Sequence, residues 1–316
     1  MADRFSGVVL AQRAGTTVFE RVQGLADQDR REACTRGTRF QIASVSKQFT
    51  AAAVLLLAGR GLISPQDRIE RWLGTCPPPW RPITVHHLLT HTAGLGHWQA
   101  YPDVDHYRPV PPERLVDLFT QVPLLSAPGA AFSYSGPGYV LLAWIVAQVS
   151  GQPYGGFLAE RIFGPLGLRS AGVDVAAGPG VARGYRGGTP EPPIVPKIGT
   201  GDIWCSAEDL LRWDRALAAG ALLTPALHRA MLTAHVPAQA PADLGDAWGT
   251  DGYGYGWHVG TAAGRRAYFH SGGNPGYRAV NAWLPDDDVR IALCGNDEAA
   301  DFGQILTQAL REALAL

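Results

Sequence analysis

Strand-like runs stand at the two ends of this chain, with helical patterns between them. "FSGVVLAQ" at residues 5–12 and "TTVFERVQG" flank the turn "RAGT", a hairpin signal with Gly15 at the bend. In the last third, "YGYGWHVG", "RRAYFHSGG" and "YRAVNAWLPDDDVRIALCGN" are aromatic and β-branched runs cut by Gly, Pro and Asp turns. An isolated hairpin is marginal in water, so the N-terminal pair is expected to join the C-terminal strands in one antiparallel sheet. The closing "ADFGQILTQALREALAL" is amphipathic and suits a helix covering one face of that sheet. The fold class that follows is α+β.

Between the ends lie short helical segments broken by Pro and Gly: "ITVHHLLTHTAGL", "PPERLVDLFTQ", "PGYVLLAWIVAQVSG" and "YGGFLAERIFGPLGL". Pro137 in a first turn and Gly151 just past an end are the usual start and stop residues. Residues 174–200, rich in Gly and Pro, are expected to be loop. "AEDLLRWDRALAAG" then reads as a further helix.

The 27 basic and 28 acidic side chains give a formal charge of −1, which argues against nucleic acid or a membrane surface as partner. "MADRFSGVVLAQRAG" carries Asp3 and Arg4 and only a short apolar run, unlike a secretory leader, so the expected location is the cytoplasm. Cys34, Cys76, Cys205 and Cys294 are scattered without a C-x-x-C pair, as reduced structural thiols would be.

Only two of the 27 basic residues are lysines, Lys47 and Lys197. What lysine offers over arginine is a pKa that burial can bring toward neutrality. Lys47 follows Ser44 by three in "IASVSKQFTAAAVLLLAGRG", a spacing that puts both on one helix face. At a helix N-terminus the free N–H groups and the positive dipole end favour a developing alkoxide and disfavour a protonated lysine. Two readings follow from these residues alone: a serine nucleophile with a lysine base, or a serine N-cap followed by an exposed lysine.

The chain resembles the serine β-lactamase and penicillin-binding-protein-like hydrolases, whose S-x-x-K motif fits Ser44 and Lys47. "FQIASVSKQFTAAAV", "ITVHHLLTHTAGL", "FSYSGPGYVLLAWIVAQVSG", "AEDLLRWDRAL", "YGYGW" and "HSGGNPGY" carry the likeness, over nearly the whole length. The branch is that of class C β-lactamases, D,D-carboxypeptidases and related esterases and transesterases. The resemblance implies a β-lactamase/transpeptidase-like unit over 1–316, with a sheet lobe near 1–62 and 196–316 and a mainly helical lobe near 63–195. It implies no cofactor or metal. By residue, it implies Ser44 as nucleophile, Lys47 as base, Tyr134 as the tyrosine of Y-x-N, and His270, Ser271 and Gly272 as the third motif. The backbone amides of Ser44 and Gly273 would form the oxyanion hole, and His270 would orient Tyr134 or bind a substrate carboxylate.

The family's Y-x-N asparagine is replaced here by Gly136, in "YSG". That amide is associated with the catalytic lysine and with an amide of the substrate, so its loss favours esters or thioesters. The expected function is hydrolysis or acyl transfer through an acyl-serine, on a small acyl substrate, with water, an alcohol or an amine as acceptor. The alternatives are a β-lactamase, D,D-peptidase or D-aminopeptidase, and a binding protein that keeps the fold without catalysis. Trp98, Trp204, Asn274 and Tyr277 are expected to contact substrate, with Tyr101 and Trp257 also near the cleft. His86, His87 and His91 lack the glutamate of H-E-x-x-H and are not read as zinc ligands. "PDDD" at 285–288 reads as a hairpin turn, and no G-x-S-x-G elbow occurs.

Overall fold

The computed structural model describes residues 5–316; Asp3 and Arg4, used in reading the N-terminus, lie outside them. Seven antiparallel strands run in the order Trp248–Tyr253, His258–Ala262, Arg265–Asn274, Tyr277–Leu284, Val289–Gly295, Gly7–Arg13, Thr16–Gln23. The two chain ends meet as expected: Gly7 lies opposite Gly295 and Arg13 opposite Val289.

Gly7–Arg13 is a nearly unbroken apolar run because both its faces are covered. Successive side chains alternate: Val9 and Ala11 join Ile291 and Leu293 against Phe302, Leu306 and Leu310 of the Phe302–Leu314 helix. Val8 and Leu10 belong to the larger core on the opposite face, with Leu210 and Leu211 of the Ala207–Ala218 helix. Thr16–Gln23, at the edge, alternates exposed and half-buried residues and carries Glu20 and Arg21.

The Ser46–Gly59 helix is buried on all sides over its first ten residues, Ser46 to Leu55, which explains its lack of a polar stripe. It packs on Gly136–Ser150, a helix whose N-cap Ser135 accepts the Gly138 amide at 3.1 Å, a cap worth about 1 kcal/mol. No helix among the described residues is long and apolar enough to cross a membrane.

Some details differ from the sequence reading. "YGYGW" is not a strand but a junction: Tyr253 ends one strand, His258 begins the next, and Gly254 to Trp257 turn between them. The loop expected over 174–200 contains a two-residue ladder, Tyr185–Arg186 with Thr189–Pro190. Ile203–Cys205 forms a small second sheet with Phe40–Gln41 and Gly172–Val173. Pieces of two or three residues are too short to display a period, so pairing across the sequence decides them.

Candidate active site

Ser44 sits in a 3-10 turn, Ala43–Val45, that leads into the Ser46–Gly59 helix rather than on the helix itself. Ala43 holds φ at 46°, a left-handed conformation unusual for alanine. The turn is pinned from the sheet side by the Arg265–Asn274 strand. A Cβ on Gly272 would lie 2.4 Å from the Ile42 carbonyl oxygen and 2.8 Å from the Ser44 amide nitrogen, so only glycine lets the strand come this close.

Lys47 is 1% exposed, which removes the reading of an exposed lysine behind an N-cap. Its Nζ lies 2.9 Å from Ser44 Oγ and 3.1 Å from the Thr200 carbonyl oxygen. Burial brings its pKa down to about 7, against a smaller opposing pull from Asp202. Near neutral pH such an amine can take a proton from the adjacent hydroxyl.

Asp202 supports this arrangement from behind. Its Oδ1 accepts the Gly199 amide at 3.0 Å and so holds the loop that presents the Thr200 carbonyl to Lys47. Burial raises its own pKa to about 7. Thr50 ties the same loop from the helix, its hydroxyl donating to the Gly199 carbonyl at 2.7 Å.

Tyr134 is hydrogen-bonded to Ser44, and burial keeps its phenol well above the ordinary range, hence protonated. The Lys47 ammonium group lies 4.9 Å from the centre of its ring. Two imidazoles fix the backbone just after it: His91 Nδ1 accepts the Ser135 amide at 3.1 Å, and His97 Nδ1 accepts the Gly136 amide at 2.9 Å. Both rings are held neutral, chiefly by burial and then by Lys47; His97 comes down to about 4.

His270, 2% exposed, lies 6.1 Å from Tyr134 between ring centres, but its hydrogen bonds go elsewhere. Nδ1 donates to the Ser271 carbonyl at 2.5 Å, leaving Nε2 to accept from the Tyr253 hydroxyl at 3.0 Å. Burial, then His258 and Lys47, push its pKa well below the usual value, so it carries no charge for a substrate carboxylate. The orientation expected for Tyr134 from His270 is supplied instead by the backbone held on His91 and His97.

Gly136, the departure from Y-x-N, is explained by its neighbour. A Cβ there would stand 2.6 Å from the Trp98 indole, so Trp98 fills the space an asparagine side chain would need. The lysine contact is taken by the Thr200 carbonyl.

Two cavities meet at Ser44 and Gly273. One, about 310 Å³, is lined by Trp98, His106, Lys197, Thr200 and Asn274 among others. The second, about 270 Å³, is lined by Phe132, Tyr134, Gln239, His258, His270 and Ser271. Trp204 and Tyr277 line neither. They pack edge to face at 5.6 Å and border a separate cavity of about 530 Å³, which shares Ile194, Pro196 and Pro275 with the first. Tyr101 and Trp257 are core residues, 3% and 0% exposed. His86, His87 and His91 diverge: His86 meets the Tyr255 hydroxyl, His87 caps Thr84, and His91 holds Ser135.

The sequence reading passed over Thr200, whose contribution is a main-chain atom, and His97, Asp202 and Tyr253, and it weighed His91 only as a metal ligand. Lys197 carried a signal that was available, being the second of two lysines.

The geometry agrees with what the chain is similar to. A penicillin-binding protein of Bacillus subtilis (strain 168) is 27% identical, over 98% of this chain and 72% of its own. Esterase EstB of Burkholderia gladioli is 34% identical over 58% of this chain and 51% of its own length. Among solved structures, a penicillin binding protein from Bacillus halodurans superposes with a TM-score of 0.84 at 28% identity, covering 98% of this chain and 96% of that one. The fold is therefore β-lactamase/transpeptidase-like. The family model for beta-lactamase matches residues 1–315, and the chain belongs to that family of serine hydrolases.

Proposed function

We propose that the protein is an acyl-serine esterase or acyltransferase, acting on an ester or thioester. The observation that carries this is the contact of Ser44 Oγ with the amine of Lys47 at 2.9 Å, in a setting that brings that amine to about pH 7. Ser44 Oγ bonds to the acyl carbon while its proton passes to Lys47 Nζ. The Ser44 and Gly273 amides hold the oxyanion. Tyr134 gives its proton to the leaving oxygen or sulfur and regains one from Lys47 as that bond breaks. Water or an alcohol then attacks the acyl-serine with the same proton transfers reversed.

The placement of the two substrate halves follows from this assignment. Tyr134 lines only the 270 Å³ cavity, so the leaving group belongs there and the acyl group in the 310 Å³ cavity. Two observations support esters over amides: the Trp98 indole stands where an asparagine amide would meet an amide-bearing acyl chain, and part of the chain is similar to esterase EstB.

The test is incubation with a fluorophosphonate and with p-nitrophenyl acyl esters, followed by intact mass and absorbance. Labelling at Ser44 with ester turnover is expected, both absent in Ser44→Ala. An unlabelled, inactive wild type sinks the reading in favour of a binding protein, and rapid nitrocefin turnover with no ester turnover favours a β-lactamase.

A further inference from the structure

The chain's other lysine stands in the acyl cavity. Lys197 is 4% exposed and lines the same 310 Å³ space as Ser44. It is the only residue of that lining with a formal charge, because His97 and His106 are held toward neutrality and no carboxylate is present. Among the described residues its ammonium makes one hydrogen bond, from Nζ to the Arg108 carbonyl at 2.9 Å. An ammonium has three N–H donors, so two remain for a guest.

Burial lowers the Lys197 pKa from the ordinary lysine value, and Asp105, which opposes this, makes no ion pair with it. Asp105 is felt by Lys197, yet its Oδ1 accepts the Tyr107 and Arg108 amides at 2.8 and 3.1 Å, and its Oδ2 lies 3.8 Å from the Arg108 guanidinium. A largely buried cation with unspent donors is costly unless an anion arrives to complete it. The cavity across Ser44 has no charged residue in its lining at all. A chain that otherwise places arginine almost everywhere has therefore put its compact, adjustable cation here.

Building on the acyl-serine reading and the acyl-cavity assignment, we propose that Lys197 recognises a carboxylate carried by the acyl group, so that the preferred substrates are half-esters or half-thioesters of short dicarboxylic acids. The same cation disfavours acyl groups bearing an α-ammonium, which separates this protein from a D-aminopeptidase. His106, Tyr107 and Asn274 add neutral polar groups to the anion's surroundings.

The test compares p-nitrophenyl half-esters of succinic, glutaric and adipic acids with the neutral butyrate, valerate and hexanoate. In wild type, the acid member is expected to lead in kcat/KM at one chain length by about tenfold, the scale of one charge-assisted hydrogen bond. Lys197→Met should reverse that preference, the acid esters losing about tenfold more in kcat/KM than the neutral esters of the same length; Lys197→Arg should keep part of it. A wild type that prefers the neutral ester at every length overturns the proposal, whether or not Lys197→Met folds. Calorimetric titration of Ser44→Ala with monoethyl glutarate and with ethyl valerate separates the two readings. Selective binding of the acid there, with no turnover of any ester in wild type, would keep the anion site and remove the acyl-serine mechanism. No selectivity in either assay removes the anion site.

Discussion

The two cavities at Ser44 are built on different principles. The one beside Tyr134 is walled on one side by the strand bearing His270 and Ser271 and by His258, and on the other by loop residues Phe132, Gln239 and Pro241, with both imidazoles kept neutral by burial, His258 down to about 4. The one beside Trp98 is walled largely by loops, at 97–107 and 194–201, and contains the single cation Lys197. On the proposed mechanism the contrast separates two tasks. Beside Tyr134 the lining itself carries no charged side chain, and the acid behind it, Asp243, accepts from the Ser271 hydroxyl at 3.3 Å. Where a guest is to be recognised, charge is admitted, and loops can vary without disturbing the sheet.

The strongest challenge to that division is Lys47→Arg, which keeps the charge and removes the base. Its kcat/KM on p-nitrophenyl esters should fall by about 10³–10⁴-fold; activity within tenfold of wild type would undo the proton role of that side. Tyr134→Phe should cost about 10²-fold on alkyl esters and much less on p-nitrophenyl esters, whose leaving group needs no acid. An equal loss on both would move Tyr134 from proton donor to mere packing.

The pH profile sharpens the same point. Lys47 acts as a base only when neutral, so kcat/KM should rise with pH through about 7 and drop tenfold per unit below it. Asp202 shifts to about 7 as well, so the limb belongs to the pair. Tyr134 and Tyr139, raised by burial, stay protonated throughout, and the neighbouring His91, His97 and His270 stay neutral. A limb near pH 10 would mean that Lys47 is not desolvated in solution.

On the loop side, Gly136→Asn should lower stability by about 1–3 kcal/mol through overpacking against Trp98, measured by urea denaturation. Adding Trp98→Ala should restore most of it, a coupling that direct contact predicts. The smallest effect is expected for Tyr253→Phe. It strips Nε2 of His270 of its donor and should cost about 1 kcal/mol, with only a few-fold change in rate.

The sheet was legible because its strands are long enough to show a period and Gly7–Arg13, sixth of the seven, reads as a nearly continuous apolar run. Ser44, Lys47 and Tyr134 were legible as short motifs, and the structure brings all three into contact. Trp204 and Tyr277 were placed one cavity away from where they were expected, since aromatic residues near a cleft carry no mark of which wall they face. The loss of the family's asparagine at Gly136 was legible, but that Trp98 fills its space was not, because the two positions lie far apart in sequence and meet only in space. The partner of Lys47 could not be read from residue types at all, because it is a carbonyl of the main chain.

That carbonyl has an evolutionary consequence. A side-chain anchor for the lysine can be deleted by a single codon change, whereas every residue type at position 200 still supplies a carbonyl oxygen. The anchoring of the amine is thereby insulated from point mutation as long as the 199–202 loop keeps its shape. On the proposed mechanism, changes in the walls around Trp98 and Lys197 can then accumulate without first disturbing the Ser44–Lys47 contact, which would leave this scaffold free to drift from one acyl group to another.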